Sequence, residues 1–107
     1  PTSTSSKILI TSAIQVALDD SSGARAYMRL LRGTDVIQTL AGITDNNVSS
    51  QGENYVFNFL DSPNSTSSQT YKVQAKSTNS SLDIRFVYNT NDSISTVTTL
   101  TAMEVLA

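Results

Sequence analysis

Few residues in this chain can do chemistry, and their types narrow the choices before any fold is considered. The 107-residue sequence has neither His nor Cys. A Ser or Thr hydroxyl therefore has no imidazole base beside it, and no thiolate is available as nucleophile or metal ligand. A Ser–Lys arrangement would draw on Lys7, Lys72 or Lys76, and each of these sits at an outward position of an alternating run. Paired carboxylates held about 5–10 Å apart can hydrolyse glycosides. Asp19 and Asp20, however, are adjacent in a turn sequence, where aspartate bonds its own backbone. Asp61, Asp83, Asp92 and Glu104 show no pairing in the sequence. The chain reads as a non-enzyme.

Binding chemistry is almost as thin. Asp45-Asn46-Asn47 and Asn89-Thr90-Asn91-Asp92 offer the oxygen ligands that Ca²⁺ prefers. Neither follows EF-hand spacing, so no metal or cofactor is expected. Glycosylation sequons begin at Asn47, Asn64, Asn79 and Asn91, as chance produces in a chain rich in Ser and Thr. Arg25, Arg29 and Arg32 form the basic cluster. An exposed strand face or ion pairs between subunits explains them without an anion site. A net charge of −2 with no basic tract gives no support to nucleic-acid or anionic-membrane binding. No apolar run approaches the roughly 20 residues of a spanning helix, and no signal-peptide pattern is present. With no Cys, the redox compartment stays open.

The elements that must carry these residues are strands. Over 7–18, Ile8, Ile10, Ile14, Val16 and Leu18 fall on one face and Lys7, Thr11 and Gln15 on the other. The run 24–32 (ARAYMRLLR) also suits a helix, but the turns around it favour a strand with Arg25, Tyr27, Arg29 and Leu31 opposite Ala26, Met28 and Leu30. Gly33-Thr34-Asp35 turns it into a second strand over 36–40, and 42–52 reads as a polar connection. Over 53–60, Tyr55, Phe57 and Phe59 share a face opposite Val56 and Leu60. A loop over 61–69 leads to 70–77, where Tyr71, Val73 and Ala75 point inward. Two further strands are expected over 82–88 and 94–106. Residues 1–6 have nothing to pack and are expected to be a flexible leader before one domain over 7–107.

Seven short strands with polar turns predict an all-β, antiparallel β-sandwich or jelly roll. Several strands also carry apolar residues on the second face, which a sandwich strand open to water does not need. Either the domain closes over these faces or a partner subunit covers them, and the balance favours a symmetric oligomer. Val56, Leu60, Leu100, Ala102 and Leu106 are the candidates for that interface. Asp61, Asn64, Asn89 and Asn91 are the candidates for contacts made by loops.

One longer pattern carries a resemblance. FNFLDSPNSTSSQTYKVQAKS at 57–77 and the closing SISTVTTLTAMEVLA resemble the C-terminal β-sandwich module of virion proteins of tailed bacteriophages, marine ones especially. The matching positions are Asp61, Ser62, Pro63, Thr70, Tyr71, Lys72, Val73 and Gln74, then Met103, Glu104 and Val105. The opening SKILI and the run ARAYMRLLRG are similar too, so the likeness covers nearly the whole chain after the leader. It implies a homotrimeric jelly roll, like the heads of tumour-necrosis-factor and C1q proteins. It also implies a location on the virion, other capsid or fibre proteins as partners, and no catalytic residues. No shaft or repeat precedes Lys7, and Pro1 fits removal of an initiator Met as well as it fits a cut fragment. The expected role is therefore capsid decoration or a head fibre. The alternatives are a tail-fibre tip binding host glycan or protein through its loops, and a cellular carbohydrate-binding module.

Overall fold

The structure, a computed structural model, describes residues 1–18, 25–44, 52–78, 84–85 and 98–106. These residues form seven strands: β1 (Lys7–Leu18), β2 (Arg25–Arg32), β3 (Asp35–Thr44), β4 (Gly52–Asp61), β5 (Tyr71–Ser77), β6 (Ile84–Arg85) and β7 (Thr99–Val105). No helix occurs among them, so the fold is all-β. Of the run 24–32, residues Arg25–Arg32 are strand: the structure buries Ala26, Met28 and Leu30 while leaving Arg25, Tyr27 and Arg29 exposed.

Two antiparallel sheets result. In the first, β1 is central, with β4 on one edge and both β6 and β7 on the other. The second has the order β3-β2-β5. The β2–β3 hairpin turns at Gly33-Thr34, with Arg32 paired to Asp35 across it. Gly33 has a φ of 60° and Thr34 does not share the positive sign, which is the type II′ pattern that needs glycine first. β3 runs on through Gly42 to Thr44, further than the polar sequence there predicts. It does so as an edge strand with two register shifts against β2, which is where bulges are tolerated.

The core lies between the sheets. Ile14 and Val16 of β1 pack with Ala26 and Met28 of β2, and Ile8 and Ile10 pack with Leu30. Phe57 and Val73 touch both groups. The molecule measures 48 × 29 × 17 Å, and its thin dimension has room for two layers only. The arrangement is sandwich-like, and among the described residues no third layer lies over the outer face of either sheet.

The leader differs from expectation. The Thr2 amide and hydroxyl both donate to Oε1 of Glu104, at 2.5 and 2.8 Å, and Ser6 is buried. The cause is the β1–β7 pairing, which sets Lys7 beside Val105 and so brings Glu104 within reach of the residues before β1. Those bonds from Thr2 hold the Glu104 carboxyl below its ordinary range. The turns at 19–23, 45–51 and 89–93 lie outside the described residues, and with them Asn89, Asn91 and both oxygen-rich metal candidates. Of the strand expected over 82–88 only β6 is described, and of that over 94–106 the part from Thr98 on.

Candidate functional site

The most connected polar group joins the two sheets at one end. Asp61 is the last residue of β4 and only 6% exposed. Nη1 of Arg32 donates to both of its carboxylate oxygens at 3.0 Å, and the Tyr71 hydroxyl donates to Oδ2 at 2.7 Å. Arg32 ends β2, Tyr71 opens β5, and the two are register partners. Asp61 belongs to the other sheet, so the cluster ties the sheets together where residues 62–70 cross between them. This corrects the placement of Asp61 in an exposed loop, because its carboxylate faces inward and is already bound.

Chemically the cluster has little to offer a substrate. The Arg32 guanidinium neutralises the carboxylate in a nearly buried ion pair. The Tyr71 hydroxyl is pushed well above its usual value, first by burial, then by its hydrogen bond to Asp61 and the charge there, with Arg32 pulling the other way. A phenol so held resists ionisation and works as a structural donor.

The sign of its pH dependence follows. Below about pH 10 the phenol is neutral in folded and unfolded chains alike, and the stability it contributes is intact. Above that, the unfolded chain ionises first, so the contribution is lost as pH climbs toward the folded value. Urea unfolding from about pH 8 to about pH 11 is therefore expected to show wild type losing stability faster than Tyr71→Phe. A difference between the two that stays constant over this range would disprove the hydrogen-bonded role.

The loop residue Asn64 is exposed and has a φ of 50°. Asparagine accepts this left-handed backbone better than most residues, which is a conformational reason for its presence beside Pro63. Among the described residues no three His, Cys, Asp or Glu are placed to hold a metal ion.

The interface candidates divide between two surfaces, and register parity explains the division. On β1 the even residues point inward. Ile10 faces Phe59 on β4 and Ala102 on β7, so odd residues of β4 but even residues of β7 share the inner side. Val56 and Leu60 thus lie on the outer face of the first sheet. Their companions there are Met103 and Val105, on the opposite side of β7 from Leu100 and Ala102. Met103, Leu9 and Leu60 form one lateral row across β7, β1 and β4. Val56 is 74%, Met103 55% and Leu60 48% exposed. Leu100 and Ala102 instead point to the inner side at the β7 edge. There Leu100 lines an open cleft of about 200 Å³ with Ser12, Ile14 and Val73. Ser12 holds this edge by donating to the Thr99 carbonyl at 2.6 Å. Leu106 lies just past β7 and is exposed.

The outer face of the second sheet is polar. Over it lies an open concavity of about 800 Å³, with Tyr27, Arg29, Val36, Thr39, Gln74 and Lys76 among its lining. No protein-family model, curated protein or solved structure matches the chain.

Proposed function

We propose that this chain is a non-enzymatic structural protein of a bacteriophage virion surface, of the capsid-decoration or head-fibre type. It acts as a homotrimeric jelly roll that attaches to other virion proteins. The observation that carries the assembly is the exposed apolar face of the β4-β1-β7 side. An uninterrupted Met103–Leu9–Leu60 row, with Val105 and Val56 beside it, is more apolar surface than a strand face left in water requires. The threefold arrangement and the virion setting come from the resemblance of the 57–77 and 103–105 sequences to phage virion modules. A thiol-free chain fits an exposed assembly that must hold in any redox environment.

The reading is tested by mass and by place. Light scattering at micromolar concentration is expected to give three times the 11.5 kDa chain, and a map of the intact particle is expected to show threefold density outside the shell. A monomer in solution, or a particle whose maps lack this density, would sink it.

A further inference from the structure

Net charge conceals how the cations are distributed. Arg25, Tyr27 and Arg29 of β2 and Lys72, Gln74 and Lys76 of β5 are all exposed on the outer face of the second sheet. Register sets Tyr27 beside Lys76 and Arg29 beside Gln74, with Thr39 of β3 on the other flank of Arg29. Four of the chain's seven Lys and Arg therefore share this face, and among the described residues no Asp or Glu does. Asp35 pairs with Arg32, whose side chain turns inward to Asp61, and the other described acids belong to the first sheet.

The face is also organised. Nε and Nη2 of Arg29 both donate to Oε1 of Gln74, at 3.1 and 2.9 Å, which fixes the guanidinium and leaves its other donors pointing to solvent. Leu31 shares the face by register yet is only 3% exposed. Strand geometry spaces the cations about 13 Å apart along each strand, and the two-residue stagger between the strands sets Arg29 about 8 Å from Lys72 and from Lys76 along the diagonals. Arg29 and Lys76 line the open concavity, and Tyr27 stands 44% exposed within it.

We propose that this face binds an acidic polysaccharide, a sugar chain bearing carboxylate or sulfate groups. The cation rows supply charge complementarity to a string of separated acids, and a fixed guanidinium suits planar carboxylates and sulfates. Thr39 and Gln74 offer hydroxyl and amide partners to sugar hydroxyls, and the Tyr27 ring offers an apolar surface to a pyranose face. Nucleic acid, with its far denser charge, would meet a chain whose remaining charges are mostly acidic. The site lies on the opposite side from the apolar face of the first sheet, so its occupancy is independent of assembly.

The test is calorimetric titration at low salt with sodium alginate, neutral dextran, polyglutamate and a short DNA duplex. Alginate is expected to bind and dextran to remain unbound. Arg29→Glu and Lys76→Glu are each expected to weaken alginate binding about ten-fold with unchanged thermal melting, while Lys7→Glu on the first sheet leaves it unaltered. Affinity is expected to fall with added salt, as displacement of a few ion contacts requires. Tyr27→Ala is expected to weaken binding without altering that salt dependence. Three results would overturn the proposal: dextran binding as well as alginate, Glu variants that bind like wild type, or polyglutamate or DNA binding at least as tightly as alginate.

Discussion

Asp61→Ala is expected to lower the unfolding free energy by about 2–4 kcal/mol, which for a chain of this size is a drop of roughly 10–20 °C in melting temperature. The loss does not come from the ion pair's own net worth, which is small once the cost of desolvating both charges is counted. It comes from what the substitution leaves behind. Arg32 loses both oxygens that hold its guanidinium, and the Tyr71 hydroxyl loses its acceptor in a site largely closed to water. Arg32 keeps about a quarter of its side chain exposed, so water recovers part of the cost, and the estimate sits below that for a fully buried pair. The double change Asp61→Leu with Arg32→Met is expected to recover the part of the loss that comes from the unpaired guanidinium, because it removes both charges and keeps volume at the sheet junction, while the Tyr71 hydroxyl still lacks its acceptor. Urea unfolding at one fixed protomer concentration measures both variants, since assembly would otherwise add its own concentration dependence. An Asp61→Ala protein within about 0.5 kcal/mol of wild type would show that the cluster does not tie the sheets together.

That cluster was partly legible. Asp61 continues the inward phase of Tyr55, Phe57 and Phe59; Arg32 continues that of Ala26, Met28 and Leu30; Tyr71 begins that of Val73 and Ala75. Each polar member therefore stands where its strand's buried face ends, and alternation carried two residues further would have found it. The loop expected over 61–69 begins one residue too early, because Asp61 is still the last residue of β4. The strands themselves were legible because period two is a local property. Pairing is not local. Nothing in 99–105 tells whether its even or odd residues fall beside Ile10, and a change of one residue in that register would exchange Leu100 and Ala102 for Met103 and Val105. The leader failed for the same reason, since its partner Glu104 is brought near only by that pairing.

The same parity makes the assembly prediction specific to one face. If the proposed oligomer forms through this face, Leu60→Asp combined with Met103→Asp is expected to leave a folded monomer, weakening association more than a thousand-fold. Leu60 and Met103 flank Leu9 in one row, so each protomer would bury two large side chains beside a third. Each contributes about 1.5–3 kcal/mol when fully withdrawn from water, and a carboxylate in its place adds the cost of desolvating a charge against an apolar surface. Two such changes exceed the roughly 4 kcal/mol that a thousand-fold represents. Because both positions are exposed in the single chain, the variant is expected to keep its far-ultraviolet dichroism and its core. Leu100→Asp is the informative control, since it places the same charge on the same strand but toward the inner cleft. Sedimentation is expected to show the Leu60/Met103 variant as monomer and the Leu100 variant still assembled. The opposite pattern would move the interface to the β7 edge and overturn the role given to the outer face.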